Sequence, residues 1–268
     1  MSNPPVYRHK LATRIWHWVN AVAILVLLMS GAMIFNAHPR LYWGEYGANL
    51  DRPWLSVGTT EKTGYLQIGT GRIDTTGVLG RWTGPNGVEQ TRAFPYWATI
   101  PSNYNLALAR RWHLAFSLIF AFGLLAFLIA SLANRHVQKD LRLRRRDLSP
   151  AVLKHDVIEH LKLRFHDPAD PAAFNVLQKL SYVAVIFILI PLLILTGLTM
   201  SPGMNAAWPW LLDIFGGRQS ARSIHFIAAA LILAFIVVHL LLVLLAGPVD
   251  GVRGMITGRV RAAGRAAP

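Results

Sequence analysis

The 268-residue chain contains no cysteine. That excludes disulfides, cysteine-ligated iron–sulfur clusters, thiolate-ligated haem and covalent haem attachment through a CxxCH motif. Ten histidines and six methionines remain as soft or borderline metal ligands. Acidic residues are scarce, 13 against 27 lysines and arginines, and the formal net charge is +14. Charges of both signs are almost absent from four long apolar runs, in a chain that is 53% hydrophobic. Such runs argue against a soluble nucleic-acid binder, the competing reading of so basic a protein, and for an integral membrane protein with basic cytoplasmic segments. The stretch from Met1 to Arg14 is short and lacks a cleavage site, so it is not read as a removable signal peptide.

The apolar runs predict an all-α integral membrane fold, a bundle of four transmembrane helices over about 15–35, 110–132, 174–200 and 221–247. A long loop, 36–109, joins the first two and carries Trp43, Trp54, Trp82, Trp97 and a GPNG turn signal. Its length points to a small cap or a docking surface. The loop 133–173 is strongly basic, and within it Ser149 followed by Pro150 marks the start of a short helix. Val152, Ile158 and Leu161 give that helix an apolar face, while His155, His160 and His166 sit among charges in a soluble segment. Pro191 and Gly197 are expected to kink the third span. The N-terminus, the 133–173 loop and the tail together carry sixteen basic residues, whereas the long loop is nearly neutral. The positive-inside rule then puts both termini in the cytoplasm and the long loop outside.

Four histidines lie inside these runs. The segment from Arg222 to Ala246 is otherwise apolar after its opening Arg-Ser, and only His225 and His239 break it. Fourteen residues at about 1.5 Å rise and 100° each place the two on nearly one face, about 21 Å apart. An imidazole in hydrocarbon is costly unless satisfied inside the bundle, so each is a functional candidate, although packing against a neighbouring helix is the plainer alternative. His17, in the motif RIWHW, opens the first span, and His113, in RWHLAF, opens the second. With the topology above, His17 and His239 share the inner level and His113 and His225 the outer. Zinc would want three or four ligands at one level, and a proton relay would include carboxylates that the span interiors lack. Two haem b groups, each with two axial imidazoles, account for the pattern best. Gly31, fourteen residues after His17, would let a flat ring approach the backbone, or simply permit close helix packing. Arg14 is a candidate partner for the inner propionates, and Arg110, Arg111 or Arg222 for the outer ones, against the alternative role of interfacial anchors.

The motifs RIWHW, RWHLAF and FNVLQK, with two histidines fourteen apart in the last span, resemble the bacterial cytochrome b561 family. That family includes the membrane cytochrome b subunits of nickel-iron hydrogenase, formate dehydrogenase and thiosulfate reductase. The resemblance covers the four spans and not the long outer loop. It implies a di-haem subunit, possessing quinone reductase or quinol oxidase activity, that carries electrons between the quinone pool and an extracytoplasmic redox subunit such as a molybdopterin oxidoreductase. The partner would dock on the 36–109 loop. A quinone would bind near the inner haem, at Asn175, Gln178 and Lys179, where an amide can donate to a carbonyl; polar helix caps are the alternative for these residues. A self-sufficient membrane oxidoreductase acting at the outer haem, and a haem-free membrane anchor, remain as further readings. A homodimer is compatible with the sequence but not specified by it.

Overall fold

The computed structural model describes residues 6–7, 9–47, 51–134, 144–162 and 175–260. Among them are four helices long and apolar enough to cross a membrane: α1 (Leu11–Phe35), α2 (Leu106–Ala133), α4 (Val176–Met200) and α7 (Arg218–Ala246). Leu118, Phe122, Ile129, Leu240, Leu241 and Leu244 are half or more exposed on them. Apolar surface of this extent is what lipid covers, and helices suit it because they satisfy backbone groups within the segment. The protein is thus a multi-pass helical membrane protein.

The chain forms two compact units, one of residues 1–20, 122–191 and 231–268, the other of residues 21–121 and 192–230. In the first, strand β1 (Val6–Tyr7) pairs antiparallel with β8 (Arg259–Val260), tying the two ends of the chain together. Between α7 and β8 runs α8 (Pro248–Thr257), opened by Pro248 and closed by Gly258 in the left-handed region, φ 80°. A Cβ on Gly258 would stand 2.8 Å from the His9 carbonyl oxygen, so glycine is required twice over. Trp18 Nε1 donates to the Met255 carbonyl at 3.3 Å. The basic loop contributes α3 (Pro150–Leu161), whose Ser149 Oγ accepts from Val152 N–H. The Asp156 carboxylate accepts from Leu177 N–H at 2.8 Å and so caps the start of α4. Of the three clustered histidines, His155 is exposed; His166 and the side chain of His160 lie outside the described residues.

The third span departs from regular α geometry just before its proline. A single π turn spans Val185–Leu189, where Ile190 N–H reaches back to the Val185 carbonyl. Pro191 lacks an N–H and crowds the carbonyl four residues earlier, and the widened turn before it relieves that crowding.

The second unit contains what the sequence leaves unassigned. Strands β2 (Arg40–Leu41), β3 (Leu55–Thr59), β4 (Gly64–Ile68) and β5 (Gly71–Asp74) form an antiparallel sheet in that order, with Val57 opposite Leu66. Leu41, Leu55 and Val57 are buried with Phe35 and Ala93, and Trp54, Leu66, Phe94 and Phe226 pack around them. A second hairpin, β6 (Trp82–Thr83) with β7 (Glu89–Gln90), folds about the GPNG turn, where Gly84 N–H donates to the Val88 carbonyl. After α4 come two short helices, α5 (Pro202–Ala207) and α6 (Trp210–Ile214).

The sheet-bearing cap is fastened to the first turns of α7. Gly44 carbonyl oxygen accepts from the N–H groups of Gln219 and Ser220, each at 3.1 Å, and Gly44 N–H donates to Ser220 Oγ at 2.7 Å. Donors that any helix start leaves unsatisfied are thereby filled by the cap. Ser223 Oγ donates to the Tyr42 carbonyl at 2.6 Å and accepts from Trp54 Nε1 at 2.9 Å.

Candidate functional site: two histidine pairs

The second unit brings His113 of α2 and His225 of α7 together, their ring centroids 6.3 Å apart and their planes inclined by 58°. Asn105 starts α2 by accepting the Leu108 N–H on its side-chain oxygen, which sets His113 two turns into the helix. Ser30 Oγ lies 3.0 Å from His113 Nδ1, and Thr196 Oγ1 lies 3.0 Å from His225 Nδ1. Both hydroxyl residues are completely buried.

The first unit brings His17 of α1 and His239 of α7 together in the same way, with centroids 6.4 Å apart and planes inclined by 61°. Phe235, one turn before His239, stacks on its ring at 5.7 Å and 16°. Trp16, beside His17 in the chain, stacks on Phe127 of α2 at 5.5 Å and lies over Gly123, where a Cβ would stand 2.9 Å from the indole. That contact fixes the helix carrying His17 against α2. Three buried polar atoms on one stripe of α1 have no hydrogen-bond partner: Arg14 Nε, His17 Nδ1 and Asn20 Oδ1. Buried polar groups are almost always satisfied, so a stripe of three points to a polar group that belongs there.

Two imidazoles bound through nitrogen to opposite sides of one metal, at about 2 Å per bond, have centroids about 6 Å apart. Each pair has that separation. Among the described residues no cluster of three or more histidine, aspartate or glutamate side chains could hold a metal ion, so each pair could offer two ring nitrogens. A haem needs only those from the protein, because its macrocycle supplies the other four nitrogens.

The remaining predicted residues fall in varied places. Gly31 lies against His113, where a Cβ would be 3.4 Å from ring carbon Cε1, and Gly197 repeats this against His225 at 3.5 Å. Arg222 points two guanidinium nitrogens at the carbonyls of Arg40 and His38 and so anchors the cap. Arg110 and Arg111 are exposed. Arg14 donates from Nη2 to the Ile256 carbonyl. Asn175 and Gln178 form a reciprocal capping box at the start of α4, with Asn175 N–H donating to Gln178 Oε1 at 3.3 Å. Lys179 follows in the first turn and is half-buried. Near them, Ser181, Ala184, Val185, Leu189, Leu231 and Phe235 line an apolar cleft of about 330 Å³.

Ser30 and Thr196 were not legible as site residues. The signal available was a hydroxyl residue immediately before each glycine, Ser30-Gly31 and Thr196-Gly197. His38, in the cap, stacks on Tyr42 at 5.8 Å. Partial burial, and then the nearby Arg222 and Arg40 charges, hold its pKa below the ordinary histidine value.

A bundle of four membrane helices with paired intramembrane imidazoles defines the class: a membrane cytochrome of the b type, binding haem without a covalent link. The chain belongs to the prokaryotic cytochrome b561 family, whose model matches residues 8–258. It is a haem-binding membrane electron-transfer subunit. Over 232 residues, 87% of each chain, it is 24% identical to a putative protein-methionine-sulfoxide reductase subunit, YedZ1, of Azospira oryzae. No solved structure matches the chain.

Proposed function

We propose that this chain is a di-haem b subunit of the bacterial inner membrane that passes electrons between the quinone pool and an extracytoplasmic redox subunit. His17 and His239 hold the inner haem and His113 and His225 the outer one. The observation that carries the reading is the matched pair of imidazole separations, 6.4 and 6.3 Å. A haem bound at such a site supplies a one-electron change at iron. His17 with His239, and His113 with His225, would each offer a haem two ring nitrogens from two helices. The unpartnered Arg14 Nε supports a role for Arg14 beside the inner propionates. The apolar cleft near Phe235 supports a slot for a quinone ring, with Gln178 and Lys179 toward its polar end. Asn175 and Gln178 already serve a helix cap, so the cleft is the stronger support.

Exposed Trp43, Tyr46 and Trp97 give the cap the aromatic surface that docking interfaces favour. The Azospira oryzae relative is described as a putative subunit of a reductase, which supports a partner subunit here as well. Single substitutions test the pairing. His113→Ala or His225→Ala should each remove one of two haems and leave one common spectrum, and His17→Ala or His239→Ala the other haem. Retention of both haems in all four variants would contradict the assignment.

A further inference from the structure

The two hydroxyls beside the His113–His225 pair decide which ring nitrogen carries the proton. Ser30 Oγ is 2.6 Å from the Val26 carbonyl oxygen, and Thr196 Oγ1 is 2.6 Å from that of Leu192. A carbonyl can only accept, and a hydroxyl has one proton, which these short contacts claim. At 3.0 Å from the imidazoles, Ser30 Oγ and Thr196 Oγ1 therefore accept, and the Nδ1 atoms of His113 and His225 donate. Each Nε2 is left with its lone pair free. The glycine after each hydroxyl lies along the Cε1 edge of the same ring, at 3.4 and 3.5 Å from an added Cβ. Two helices thus carry one device twice: a buried hydroxyl grips Nδ1, and bare backbone receives the adjoining ring edge.

His17 has no such partner; its Nδ1 is buried without a hydrogen bond. An acceptor on the far nitrogen fixes the tautomer and makes the ligating nitrogen more basic, which favours the more highly charged metal. We infer that Ser30 and Thr196 are positioning residues that orient His113 and His225 through Nδ1 and lower the reduction potential of the haem held by that pair. The inference rests on the reading that the two histidines hold a haem.

The test is a spectroelectrochemical titration of the purified full-length chain with its haems, comparing wild type, Ser30→Ala, Thr196→Val and Thr196→Ser. Thr196→Val keeps the side-chain shape and removes only the hydroxyl. Ser30→Ala and Thr196→Val should each raise one of the two one-electron waves by about tenfold in the reduction equilibrium, about 59 mV, with the other wave unmoved. Thr196→Ser should restore the wild-type position, and one low-spin electron paramagnetic resonance signal should shift with the moving wave. Unmoved waves, or equal movement of both, in variants that keep two haems would overturn the inference. If Thr196→Val loses a haem instead, retention in Thr196→Ser supports it, and loss there too overturns it. A wild-type chain without two haems would sink the di-haem reading itself.

Discussion

The two histidine pairs have the same ring separation and different surroundings. His113 and His225 are held at Nδ1 by buried hydroxyls and rest on glycine backbone. His17 meets the edge of Trp18 and His239 stacks on Phe235, with His17 Nδ1 left open. Ring separation follows from where the helices run, whereas orientation and ligand strength follow from single neighbours. Identical spacing therefore does not make identical centres, and the two should respond to different substitutions.

The largest expected effect is at the glycines. Gly31→Val or Gly197→Val would drive a branched side chain into the imidazole edge and should cost only the haem proposed for His113 and His225. Gly31→Ala and Gly197→Ala should keep it, because their Cβ atoms meet the rings at ordinary contact distance. Haem content per chain reads both, and loss of the other haem would break the comparison. Next comes Gly123→Ala, whose Cβ would stand 2.9 Å from the Trp16 indole. Overpacking of that kind costs about 1–3 kcal/mol, and the spectrum of the His17–His239 haem should shift while the other stays. A change confined to the other haem would contradict the local origin of the effect.

The smallest effect concerns pH. His38 has a folded pKa below its unfolded value of about 6.5, so its neutral form favours the fold. That contribution is complete above the unfolded value and is lost as pH falls through the folded one. Thermal unfolding in detergent should therefore show wild type losing more Tm than His38→Gln between about pH 7.5 and pH 5. Equal losses would remove His38 from the account.

The four histidines were legible as candidates because two open apolar runs and two interrupt one, and a polar ring in such a run has few reasons to be there. The expected topology then groups them as His17 with His239 and His113 with His225, the pairs whose rings lie close in the structure. Ser30 and Thr196 were not legible, because a hydroxyl in a membrane helix ordinarily bonds its own i−4 carbonyl, and the sequence does not reveal a second contact. Arg222 precedes His225 by three residues in the sequence, and nothing there reveals that two of its nitrogens serve the carbonyls of His38 and Arg40. Those carbonyls belong to a cap whose strands are two to five residues long. Strands that short carry too little alternation to be read, and their order rests on pairings such as Leu55 with Ile68.

Haem stoichiometry of the detergent-purified chain, by pyridine haemochrome with a reduced-minus-oxidised spectrum, tests the central claim most directly. Two low-spin b haems per chain is the result predicted. One haem would mean that one of the two pairs does not bind iron, and none would contradict the di-haem account.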